Sequence, residues 1–165
     1  MYETTPAAAN KFGWSWRRGA VTTKADFGDP LTTDSYELCV YDATPSLVMH
    51  ATAPAGVSCP TGSSGNQGVT RPCWRETAHG FSYVDKAREP VWLQKVVLER
   101  GLVPGTARIV VKGKGTALAA PSLPLVQPLT VQLKNSRGVC WQATYDAPAT
   151  KNSAGPPGRF KDTAD

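Results

Sequence analysis

Apolar and polar residues alternate with a period of two through most of the chain. In Thr33–Ala43, Tyr36, Leu38 and Val40 alternate with Glu37, Cys39 and Tyr41. That pattern predicts a strand with Leu38 and Val40 facing a core and Cys39 on the opposite face. In Gly138–Asp146, Val139, Trp141, Ala143 and Tyr145 share one face and Cys140 takes the other. Leu129, Val131 and Leu133 alternate with Thr130, Gln132 and Lys134, and Asn135–Gly138 turns the chain into the Cys140 strand, so these two form a hairpin. Phe12, Trp14 and Trp16 give a first strand with an aromatic face, and Ala107, Ile109 and Val111 line a later one. Shorter candidates are Ser46–Thr52, Cys73–Thr77, Gly80–Val84 and Arg159–Lys161. Val91–Arg100 is long enough for a helix, but Val96, Val97 and the flanking Pro90 and Gly101 favour a strand. Gly113–Pro128 reads as an irregular covering segment.

Eight or nine strands at spacings near ten residues, with little or no helix, predict an all-β fold. The expected architecture is a two-sheet β-sandwich, jelly-roll-like or immunoglobulin-like in strand order. Met1–Asn10 is small and polar and reads as a linker or mobile terminus, which leaves residues 11–165 as a single sandwich domain.

The four cysteines form an even set with three connectivities. Cys59 and Cys73 flank the polar loop PTGSSGNQGVTRP, which needs its ends tied. Closing it contributes about 3 kcal/mol in the chain-entropy model. The remaining pair, Cys39–Cys140, would join two strands across the outer face or clamp a flap onto it. Two unpaired buried thiols are the competing reading. Structural zinc is disfavoured, because no close pair such as C-x-x-C is present.

Disulfides imply export, and a cytosolic protein with four free thiols is the alternative. MYETTPAAAN has no leader character, so an exported protein would carry this segment as a domain cut from a longer chain. No apolar run approaches the length of a membrane span. The net charge of +5 comes from scattered residues, which favours acidic partners weakly and makes no nucleic-acid footprint.

Several blocks resemble a domain found in large exported bacterial proteins of unassigned function. They are DFGDP (Asp26–Pro30), YELCVYD (Tyr36–Asp42), PCW (Pro72–Trp74), KGKG (Lys112–Gly115), VQL (Val131–Leu133), GVCWQATY (Gly138–Tyr145) and RFK (Arg159–Lys161). The resemblance implies export and an accessory role, and it brings no catalytic residues with it.

Candidate chemistry is sparse. The histidines are His50 and His79, and no G-x-S-x-G elbow accompanies them. His50 lies in a strand pattern and His79 in a turn. Asp42, Asp85 and Asp146 close strands, where aspartates usually cap turns. Asp26, Asp29 and Asp34 gather near the FGDP turn, which makes Ca²⁺ the one cofactor to consider, although no D-x-D-x-D spacing is present. Gly113–Thr116 lacks the phosphate-loop spacing.

Five tryptophans exceed what a sandwich core needs. Trp141 reads as core. Trp14, Trp16, Trp74 and Trp92, with Arg75 as a polar neighbour, are the candidate ligand-binding residues, because exposed indoles stack on sugars. Core packing competes at each, since tryptophan is highly buried on average. Three functions follow: a non-catalytic accessory, adhesion or structural domain meeting a protein or cell surface; a carbohydrate-binding module; or a small secreted hydrolase. The first is preferred, and no catalytic residue is assigned.

Overall fold

The computed structural model describes residues 1–3, 10–61, 69–88, 92–155 and 157–164. The strands are β1 (Tyr2–Glu3), β2 (Lys11–Arg17), β3 (Tyr36–Tyr41), β4 (Leu47–Ala53), β5 (Ser58–Pro60), β6 (Thr70–Pro72) and β7 (Trp74–Thr77). They continue with β8 (Gly80–Val84), β9 (Leu93–Glu99), β10 (Arg108–Lys114), β11 (Leu129–Asn135), β12 (Cys140–Tyr145), β13 (Lys151–Ser153) and β14 (Gly158–Lys161). Among the described residues the only helical element is a three-residue 3-10 turn, Ala25–Phe27.

The fold is all-β, as the alternation predicts. An eight-stranded sheet runs β13-β14-β1-β2-β10-β9-β8-β7, a four-stranded sheet runs β12-β11-β3-β4, and β5-β6 form a separate ribbon. The two large sheets pack as a sandwich, with β12 against β2 and β4 against β9. Among the described residues, fourteen strands replace the expected eight or nine. The surplus is mainly β1, β5, β6 and β13, pieces of two or three residues that are too short to show a period. Val91–Arg100 yields strand β9, with Val91 outside the described residues. Gly113–Pro128 covers the core with Leu118, Leu123 and Leu125.

Tyr2 and Glu3 pair with β14 and so belong to the sheet rather than to a linker, while residues 4–9 lie outside the described ones. Gly113 sits where β10 kinks against β9, and a Cβ there would come within 2.0 Å of the Trp92 ring.

Cys59–Cys73 is formed and closes the polar loop, whose residues 62–68 lie outside the described ones. The expected Cys39–Cys140 bond is not formed, and both thiols are free. β3 and β12 are not neighbours, because β11 lies between them. Cys39 stands opposite Gln132, and Cys140 opposite Lys134. Two strand spacings separate their backbones by about 10 Å, beyond the limit of about 7 Å for a bridge.

The three FGDP-region carboxylates, expected as the Ca²⁺ candidates, brace turns instead. Asp26 accepts from the Thr23 amide and hydroxyl, and Asp29 from the Leu31 amide and Thr32 hydroxyl. Asp34 accepts from the Asp29 amide at 2.7 Å and from the hydroxyls of Thr33 and Ser136, each at 3.2 Å. Gly28 (φ +70) makes room for it, since a Cβ there would lie 2.4 Å from the Asp34 carboxylate. Asp34 thereby ties this turn to the β11–β12 turn.

The Asp29 amide is the main cause holding the Asp34 carboxyl below its ordinary value. Burial opposes it, and Thr33, Ser136 and Arg137 assist. A carboxyl depressed in the folded state stabilises above its unfolded value near 4, and that contribution is lost as pH falls through the lower folded value. The urea midpoint should therefore decline below about pH 4. Asp34→Asn should lower the midpoint at neutral pH and flatten that acid decline. An acid decline as steep as in the parent protein would remove Asp34 as its source.

Candidate functional site

The tryptophans have no open stacking face in common. Trp74 (1% exposed), Trp92 (4%) and Trp14 (5%) are buried, so core packing holds at all three and the ligand-platform alternative does not. The reason is the size of the core: an eight-stranded sheet presents more inner surface than an ordinary sandwich, and the large rings fill it. Trp74 Nε1 donates to the Pro54 carbonyl at 2.8 Å, and Trp92 Nε1 to the His50 carbonyl at 3.3 Å. Trp141 is core, as expected. Arg75 is exposed on β7, the sheet edge four strands from β2, and so joins no tryptophan platform. Only Trp16 is half-buried, with Nε1 donating to the Gln142 carbonyl at 3.1 Å.

The unequal sheets create a groove. Past β12 the larger sheet continues through β1, β14 and β13, and among the described residues no strand of the smaller sheet lies above it. The space beneath this overhang, of about 1000 Å³, is bounded by β2, β12 and the segment around β14. Phe12, Trp14 and Trp16 contribute one wall, because the alternation that makes β2 a strand aims all three at the inner face. Val131 and Tyr145 supply further apolar surface, and Phe160 closes the β14 side.

Residues 142–145 of β12 line the groove consecutively. A strand whose residues line a space without skipping presents its backbone edge to it. β12 pairs with β11 on one side only. Backbone donors and acceptors on such an edge seek partners; the Gln142 carbonyl already accepts from Trp16 Nε1 and the Tyr145 carbonyl from Gln127 Nε2. The Trp14 Nε1 is buried in the groove wall and faces the Tyr145 phenol. Burial is the largest influence on that phenol and pushes it up, and the Trp14 indole opposes it. Arg17, Arg18 and Lys161 place positive charge along the groove, with Asp162 the opposing one.

The hydrolytic candidates do not converge here. Asp42 caps its own turn through Thr44 and Ser46, and Asp85 caps the Ala87 and Arg88 amides. His79 occupies the exposed β7–β8 turn. His50 lies on the outer face of the smaller sheet, 3.7 Å from Glu37, and neither histidine lines the groove. The inner-face positions Ala143 and Tyr145 were legible from their alternation. Their place on a free edge was not, because strand order is decided by distant pairings. Among the described residues no helix is long and apolar enough to cross a membrane. Comparison of the chain with protein-family models, with curated proteins and with solved structures finds no match.

Proposed function

We propose that the chain is a non-catalytic accessory or adhesion domain of an exported bacterial protein, and that it holds an extended segment of a protein partner in the groove beside β12. The observation that carries this reading is the β12 edge, paired only with β11 among the described strands, running along an apolar groove walled by Phe12, Trp14 and Trp16. A strand added to an open edge gains main-chain hydrogen bonds, and adjacent pockets read its side chains. Arg17, Arg18 and Lys161 favour an acidic segment, so binding should weaken with salt. The Cys59–Cys73 bond supports export. A glycan is the second reading, favoured by the half-buried Trp16 ring and its polar neighbours.

Peptides selected by display against the immobilised domain supply the test. They should be extended and acidic, and Ala143→Arg, which fills the groove from β12, should weaken them at least tenfold. Thr52→Arg, on the outer face of β4, should change affinity less than twofold. Peptides insensitive to Ala143→Arg would place the contact elsewhere. Soluble polysaccharides that change tryptophan fluorescence, with the same sensitivity to Ala143→Arg, would transfer the groove to the glycan reading.

A further inference from the structure

The outer face of the smaller sheet carries a second cluster, independent of the groove. Cross-strand register sets its rows. Cys140, Lys134, Glu37 and Thr52 form one row, and Gln142, Gln132, Cys39 and His50 the next. Glu37 and Cys39 are two residues apart on β3 and so project from the same face. His50 stands directly opposite Cys39 on β4. One ligand atom from each of Glu37, Cys39 and His50 lies within 4.8 Å of the other two. The Glu37 Oε1–His50 Nε2 separation is 3.7 Å.

These distances suit a metal. With bonds of 2.0–2.3 Å in a tetrahedral site, neighbouring ligand atoms stand about 3.5 Å apart. Small rotamer changes therefore close the cluster, and two paired strands hold its backbone. The surroundings fit as well. Lys134 Nζ holds Glu37 Oε2 at 2.8 Å and leaves Oε1 toward His50. Ligating carboxylates are commonly braced by such outer groups. A carboxylate, a thiolate and the Lys134 ammonium sum to −1, so a divalent ion meets a net negative site. Cys39 is 4% exposed, whereas Glu37 and His50 are open to solvent on one side. Cys39 is also a free thiol in a protein with a disulfide, so an occupied thiolate would be protected from oxidation.

We propose that Glu37, Cys39 and His50 bind a divalent ion of the zinc class through one carboxylate oxygen, one thiolate and one imidazole nitrogen, with solvent in the remaining position. Mixed thiolate, imidazole and carboxylate donors select borderline ions over Ca²⁺ or Mg²⁺. Binding releases the thiol proton to solvent.

The test uses the whole chain, without a histidine tag and with its disulfide intact, titrated anaerobically with Co²⁺. The expected result is one ion per chain, with a near-ultraviolet thiolate-to-cobalt charge-transfer band that Zn²⁺ abolishes. Cys39→Ser should remove the band. His50→Ala, an exposed change that leaves circular dichroism unaltered, should weaken Co²⁺ binding at least tenfold. Cys140→Ser should keep both band and affinity. No band in the parent protein, or one that survives His50→Ala at full affinity, would overturn the site. A band lost in Cys140→Ser but kept in Cys39→Ser would assign the ion to the surface thiol and overturn it equally.

Discussion

Trp74→Ala is expected to destabilise the domain by about 3–5 kcal/mol, among the largest effects of any single truncation here. The ring lies 5.4 Å from Tyr36 of the smaller sheet and 5.2 Å from Tyr83 of the larger, so it joins the two layers. Tyr36 continues the chain of rings to Trp141 at 6.3 Å, and Trp141 to Phe27 at 5.3 Å. The Tyr36 hydroxyl donates to the Phe27 carbonyl, and burial raises its phenol strongly. Removing Trp74 opens a cavity in the middle of this row and leaves the Pro54 carbonyl without its donor. Trp74→Phe, which refills much of the space but not the hydrogen bond, should lose less. Urea denaturation of the two variants measures both losses. A loss below about 1 kcal/mol for alanine would mean that the sheets close over the gap and do not depend on the ring.

Replacing Cys59 and Cys73 together by alanine is expected to cost about 3 kcal/mol, because a cross-link over a separation of 14 residues removes chain entropy from the unfolded state. For a chain of this length that corresponds to a drop of about 6–12 °C in the unfolding midpoint. The bond sits where β5 and β6 pair, with Cys59 opposite Arg71, and Cys73 immediately precedes Trp74. The two substitutions therefore act on adjoining structure, and a triple variant with Trp74→Ala should lose less than the sum of the parts. Calorimetry of the double-alanine protein decides it: an unchanged midpoint would show that the ribbon holds the loop without its bridge.

Local patterns carried most of the fold. β2, β11 and β12 were legible because each buries one face and leaves the other more exposed, and β3 and β10 because their core-facing residues alternate although Cys39 and Val110 are buried on the opposite face. Cys59–Cys73 was legible because its loop is local. Long-range order left no such mark. β11 inserts between β3 and β12 through pairings that span some 90 residues of sequence, and that single insertion separates Cys39 from Cys140. The tryptophan surplus was visible, but the width of the sheet that absorbs it was not. Of the outer-face cluster, Glu37 and Cys39 share a face by spacing alone. The placement of His50 depends on a register that shifts at the bulge between Val40 and Tyr41, which no periodicity foretells.

β1 and β14 lie side by side, with Tyr2 opposite Arg159. The Met1 amino group donates to the Phe160 carbonyl at 2.7 Å, and the Phe160 amide to the Met1 carbonyl at 3.1 Å. Residues 1 and 161 thus leave the sheet at the same end of one antiparallel pair. Tension applied through these two points strains the hydrogen bonds of β1 and β14 one after another, as in unzipping, instead of shearing them together. Under load the domain should yield first at this seam, at low force, while the β12-β11-β3-β4 sheet and the disulfide ribbon stay folded.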